Sequence, residues 1–230
     1  MPKAALSKID HPPATLRDLV QERMRDAIIE GLFEPGQRLV ERPLCDQLGV
    51  SRTVVRETIR YLEAEGLVEI LPGRGPIVAR MNRDDARQIY DIRRALETAA
   101  AENCARRITP ERITRLQAAL DRLTQGVAET SPGEVFRTSS AFYAEIFDGA
   151  GHNVAWEVVQ RLNGRISRLR MLTLTAKDRV RPGPDHMARI CAAIAAGDPG
   201  AARAAVEGHL DDTMAIADRL LASEDMPSRD

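Results

Sequence analysis

One stretch, SRTVVRETIRYLEAEGLV from Ser51 to Val68, constrains the fold more than any other part of the chain. Gly49 lies just ahead of it and Gly66 near its end, so the residues between have room for one helix. Ser51 can accept a backbone N–H as N-cap of a helix starting near Arg52, although Val54, three residues on, excludes a capping box. Stepping about 100° per residue from Arg52, Arg56 falls at about 40°, Arg60 at about 80° and Thr53 at about 100°. Leu62, Val55 and Ile59 fall at about 280°, 300° and 340° on the same wheel. Arginines and apolar side chains thus take separate flanks, one able to pack on other helices and one facing outward. On its own, the row of arginines reads as an ordinary solvated helix face.

The neighbouring segments give that face a direction. From Leu16 the apolar positions Leu16, Val20, Met24, Ile28 and Leu32 recur at helical spacing, and Gly31 with EPGQ behind it supplies a stop. ERPLCDQLG follows as a short second helix, with Pro43 tolerable only in its first turn and Gly49 placed as a left-handed end. Beyond the third helix, LVEIL and IVA are β-favouring runs separated by PGRGP, whose glycines permit a tight tip and whose Pro76 suits a strand edge. Three helices and a hairpin predict a winged helix-turn-helix. In that fold the N-terminal turn of the third helix, with Arg52, Thr53 and Arg56, reaches base edges in the major groove, and Arg can donate bidentately to guanine. Arg74, between two glycines at the hairpin tip, adds a donor on another side of the same groove.

Overall charge gives no such pointer. The formal net charge is −1, and the first 81 residues hold two Lys and ten Arg against twelve Asp plus Glu. Positive charge for a nucleic acid must therefore be placed locally. Cys45, Cys104 and Cys191 are odd in number and widely spaced, which suggests apolar fillers rather than a disulfide framework or zinc knuckle. The first 22 residues have no apolar core behind a basic start, and the longest apolar run, Ile190 to Ala196, is too short to span a bilayer, so a cytoplasmic protein is expected. With no G-x-S-x-G, P-loop or H-E-x-x-H and only four His, two of them (His11 and His152) in expected tail or loop positions, catalysis is not expected.

After Met81 the pattern becomes helical throughout, with stretches at 84–107, 110–125, 133–148, 153–175, 185–196 and 199–222. The breaks fall at TP, SPGE, GAGHN, RPGPD and GDPG. An antiparallel helical bundle is the expected packing. The organisation is then a disordered tail (1–14), a winged helix-turn-helix domain (15–81), an all-helical domain (82–222), to which the resemblance described below assigns effector binding and dimerisation, and a second tail (223–230).

The run AIIEGLFEPGQRLVERPLCDQLGVSRTVVRETIRYLEAEGLVEILPGRGPIVA resembles the N-terminal domain of GntR-family bacterial transcription regulators. The family pattern is approximately G-x-x-x-P-G-x-x-L-x-E, then L-G-V-S-R-T-x-V-R-E-x-L-x-x-L-x-x-E-G-L-V, then a glycine-rich wing. The resemblance implies a cytoplasmic dimer on a palindromic double-stranded DNA operator, with Arg42 on phosphate, Arg52, Thr53 and Arg56 in the major groove, and Gly73 with Arg74 at the wing tip. Pro43 and Cys45 depart from the usual filling of the second helix.

Residues 84 to 222, opening with IYDIRRALETAAAENCA and closing with AAIAAGDPGAARAAVEGHL, resemble the FCD effector domain of the fatty-acid-regulator (FadR-type) branch, in its shorter six-helix, VanR-like version. That resemblance implies a homodimerising bundle around a ligand pocket, which in many members holds a divalent metal through one Asp and three His. Here Ser139, Tyr143 and Met187 stand at three of those positions and only His209 is kept. His186 is one residue from the third position, about 100° around a helix, and is expected to point elsewhere. One imidazole with a hydroxyl, a phenol and a thioether is a poor ligand set, so no metal is expected and His209 reads first as a hydrogen-bonded core or pocket residue. Arg93, Ser139, Tyr143, Met187 and His209 remain as an effector pocket for a small organic molecule, by family implication a carboxylate. Arg93 is equally well placed for an i,i+4 ion pair with Glu97. The alternative is a regulator that uses its bundle only to dimerise.

Overall fold

Local chemistry sets several helix boundaries in the computed structural model, which describes residues 15–129, 132–174 and 183–224. Helix α1 (Leu16–Ile29) starts in a capping box, in which the Thr15 hydroxyl accepts from the Asp18 N–H and the Asp18 carboxylate accepts from the Thr15 N–H at 2.8 Å. Helix α2 (Glu41–Leu48) ends at Gly49, whose φ of 66° and ψ of 32° are the left-handed conformation foreseen for it. Ser51 then caps α3 (Arg52–Ala64) by accepting from the Val54 N–H at 3.4 Å.

Strands β1 (Val68–Leu71) and β2 (Gly75–Val78) pair antiparallel, Val68 opposite Val78 and Leu71 opposite Gly75. The tip is a tight turn closed by the Arg74 N–H on the Leu71 carbonyl at 3.1 Å, with Pro72 second and Gly73 third at φ 75°. Those are the positions where a type II turn wants proline and a left-handed residue. The other side of β2 is also used: Arg38 bridges antiparallel to Ile77, and the Leu39 N–H donates to the Pro76 carbonyl at 2.9 Å. Pro76 therefore sits between two neighbours rather than at an outer edge.

Val20, Met24 and Ile28 of α1, Leu44 of α2, Val55, Ile59 and Leu62 of α3, and Val68 and Val78 of the hairpin form one apolar cluster. The apolar flank read for α3 is the buried one. Leu16 and Leu32, which continue the α1 spacing in sequence, are 59% and 72% exposed. Leu16 opens the helix, and Leu32 lies beyond its end at Ile29, so neither reaches the cluster.

Residues 79–82 join the hairpin to α4 (Arg83–Arg106), where the Asn82 side chain accepts from the Asp85 N–H at 2.7 Å. The bundle continues with α5 (Pro110–Glu129), α6 (Pro132–Ala150), α7 (Asn153–Arg161), α8 (Asn163–Leu174), α9 (Gly183–Ala195) and α10 (Pro199–Glu224). Helix α10 packs along α4, and α6 and α9 complete a core containing Tyr90, Phe142, Phe147, Leu169, Ile190, Val206 and Leu210. Cys104 and Cys191 belong to that core, and burial pushes both thiols up to about 11, as suits fillers. The tail expected at 1–14 lies outside the described residues; of that expected at 223–230, residues 223 and 224 continue α10 and the rest lies outside them.

The stretch expected as one helix over 153–175 is two, so the bundle has seven helical segments among the described residues instead of six. The chain turns at Leu162, with φ −94° and ψ 0°. Apolar spacing hides the break because Val159 before it and Ile166 and Leu169 after it face the same core. The turn brings Gly164 so close to the winged unit that an added Cβ would collide with the Glu65 carbonyl oxygen and lie 2.7 Å from Leu67 Cγ. Gly164→Ala should therefore destabilise the protein by about 1–3 kcal/mol in urea unfolding. Gly208→Ala in α10, where an added Cβ meets nothing within 4 Å, should instead hold or raise stability through its better helix propensity.

Candidate nucleic-acid interface and buried polar cluster

Burial of Val55, Ile59 and Leu62 turns the opposite flank of α3 outward, and Arg52 and Arg56 have 71% and 58% of their side-chain surface exposed. Thr53 is exposed between them. Glu41, the first residue of α2, joins the two arginines: its carboxylate accepts from Arg56 Nε at 2.9 Å and Nη2 at 3.0 Å, with Arg52 Nε 3.7 Å away. The hydrogen bond from Arg56, aided by the charges of both arginines, holds the Glu41 carboxyl below the usual carboxylate range. This interaction is present above the ordinary carboxylate pKa and disappears as pH falls through the lowered value. Sequence reasoning gave Glu41 no role, although its position in the first turn of a helix packed on α3 is a usable signal. Arg42 is exposed beside it, and Gly73 and Arg74 stand exposed at the hairpin tip.

A second group lies inside the bundle. Arg93 is 1% exposed and donates to both Glu97 oxygens, at 2.7 and 3.3 Å, with its guanidinium 5.4 Å from the centre of the Tyr90 ring. The ion pair weighed for these residues is present, but in the core rather than on the helix surface. Burial opposes the Arg93 charge most strongly, yet Glu97, then Tyr143 and Tyr90, outweigh it and hold the guanidinium pKa above its ordinary value. Ser139 is buried and donates to the Phe136 carbonyl at 3.0 Å; Tyr143, on the same face of α6, meets Phe142 edge to face.

His186 does not point away from His209. Its ring centre lies 5.2 Å from that of His209, and its Nε2 is 2.9 Å from an Asp212 oxygen. Met187 is buried too. The expectation failed because α9 is packed by α10, α5 and α4 together, so a step of about 100° moves a side chain from one buried neighbour to another.

The buried group is tied to the winged unit through α6. Phe136 is buried with the α1–α3 cluster rather than with the bundle, and Arg137 donates to Asp26 of α1 at 2.8 Å. Ser139 and Tyr143 follow on the same helix.

Residues 16–78 match the bacterial regulatory proteins, gntR family, and residues 88–212 match the FCD domain. The chain belongs to the GntR family. An uncharacterised HTH-type transcriptional regulator of Mycobacterium tuberculosis is 31% identical over 227 residues, covering 89% of this chain and 91% of that protein. The HTH-type transcriptional repressor RspR of Escherichia coli K12 is 26% identical over 206 residues, covering 88% and 89%. The crystal structure of a GntR protein from Rhodococcus sp. RHA1 superposes with a TM-score of 0.74 at 27% identity, over 90% of this chain and 98% of that one.

This GntR-family chain does not fit the Asp-plus-three-His metal set that the resemblance implies. Among the described residues no three His, Cys, Asp or Glu side chains converge as a metal site. Ser139 and Tyr143 replace two ligands, and the Ser139 hydroxyl is engaged by the Phe136 carbonyl. Glu97→Gln leaves a buried guanidinium without its counter-charge and should cost about 3–5 kcal/mol in chemical unfolding.

Proposed function

We propose that this GntR-family protein acts in the cytoplasm as a homodimeric, sequence-specific regulator of transcription, with residues 15–81 reading DNA and residues 82–222 forming the dimer and binding an effector. The observation that carries this reading is the two-faced α3: its apolar flank is locked into the core, and Arg52, Thr53 and Arg56 project from the first turns with Glu41 aiming the guanidinium groups. Arg42 and the wing-tip pair Gly73 and Arg74 would hold phosphates on either side, so that α3 enters the major groove. Two copies related by a two-fold axis would read two half-sites of a palindrome.

Effector control draws its support from α6, which carries Ser139 and Tyr143 in the bundle and Phe136 and Arg137 against the winged unit. A small organic acid held by Arg93, with Ser139, Tyr143, Met187 and His209 around it, would bear on that helix. A coupling of about 1–3 kcal/mol changes operator occupancy by one to two decades. One observation favours a second reading, in which the bundle only dimerises: Glu97 already supplies Arg93 with a bidentate partner.

Duplexes selected from a random-sequence library by the wild-type protein provide the test. Arg52→Ala with Arg56→Ala should erase discrimination between selected and unselected duplexes, at about 1–3 kcal/mol for each base no longer read, with dimer mass by light scattering unchanged. Retained discrimination removes α3 from its role. A thermal-shift screen of organic acids, sugar acids and divalent metals should yield an organic acid that raises the melting temperature; no shift across the set favours the dimerisation-only reading.

A further inference from the structure

The outer face of the hairpin, opposite the core-facing Val68 and Val78, carries a groove of about 520 Å³ lined by Arg38, Arg74 and Arg80 together with Gly36, Glu69 and Ile77. Arg38 runs past Gly75 at ordinary van der Waals distance, an added Cβ there lying 3.9 Å from its Nη2, whereas Arg80 lies over Gly36 because glycine leaves it room: an added Cβ would be 2.6 Å from its Nε. Elsewhere in the same unit Arg25, Arg52 and Arg56 each face a carboxylate. Among the described residues no side chain of Arg38, Arg74 and Arg80 has an ion-pair or hydrogen-bond partner, all three residues are exposed, and Glu69 is the one acid lining the groove.

Arg38 bridges β2 at Ile77, three residues after Arg74 and three before Arg80. At about 3.3 Å per residue the row spans at most ~20 Å. A duplex presents several phosphates over that distance, and an exposed, unneutralised guanidinium fork matches phosphate geometry. The row begins at the wing tip with Arg74 and runs along the hairpin toward residues 79–82. We propose that Arg38 and Arg80 continue the Arg74 contact as a second phosphate-binding row, gripping the DNA backbone that flanks the bases read by α3. This rests on the DNA-binding reading above and adds to it a sequence-independent source of affinity.

The full-length protein tests it by fluorescence anisotropy, on a library-selected duplex and an unrelated duplex of equal length, over a range of salt concentrations. Arg38→Gln with Arg80→Gln should weaken both duplexes about equally, by roughly tenfold or more, and should flatten the plot of log affinity against log salt by about 0.9 for each phosphate no longer neutralised. Arg38→Lys with Arg80→Lys should restore the slope. A glutamine variant with wild-type affinity and slope overturns the inference, as does a lysine variant that fails to restore the slope, because packing over Gly36 would then be the residues' role. If the double glutamine variant melts early, Arg38→Gln alone carries the test through its smaller slope change, and an unchanged slope overturns the inference. Loss of discrimination in the Arg52 and Arg56 variant alongside an unchanged Arg38 and Arg80 variant removes only this inference. Failure of the wild-type protein to bind either duplex removes both.

Discussion

The burial of Val55, Ile59 and Leu62 is the interaction on which the functional geometry depends. Fully burying an aliphatic side chain is worth about 1.5–3 kcal/mol, so three on one flank of α3 fix its rotation against α1 and the hairpin far more firmly than a surface ion pair, typically below about 1 kcal/mol. The Arg56–Glu41 pair is of the weaker kind. The core decides which way the arginine face points, and Glu41 decides only how the guanidinium groups are held once it does.

Contacts between the bundle and the winged unit are of the stronger kind. Phe136 is buried among residues of the winged unit although it belongs to a bundle helix, and Gly164 lies almost in contact with the Glu65 carbonyl at the end of α3. Burial of one such aromatic side chain is worth about as much as the ~1–3 kcal/mol usual for coupling between sites. A small rearrangement of α6 is thus sufficient in energy, with no need for the two units to separate. Inside the bundle the balance differs: the Arg93–Glu97 pair tolerates desolvation because both guanidinium hydrogen bonds are made and Tyr90 and Tyr143 lie alongside.

Features set by neighbours in sequence were legible. Gly49 as a left-handed end, Ser51 as a cap, the Pro72–Gly73 tip and the apolar flank of α3 all follow from local conformational preference. Features set by packing across the chain were hidden. Glu41 reaches Arg56 only because α2 folds back on α3, and Arg38 joins the wing only through its bridge to Ile77. The turn at Leu162 leaves no trace in periodicity because both halves serve one core. His186 was misplaced because the wheel supplies angles but not how many helices surround them; three pack on α9, and both His186 and Met187 are inside.

The four residues 79–82 between β2 and α4 form a leash of at most ~14 Å, further shortened by the Asn82 cap and the close packing of Gly164 and Arg137 on the winged unit. A reading head on so short a leash cannot drift to find a displaced target. In a dimer of the kind proposed, the distance between the two heads is a property of the bundle. Such a protein behaves as a caliper, responding to the spacing and helical phase of its half-sites as sharply as to their bases.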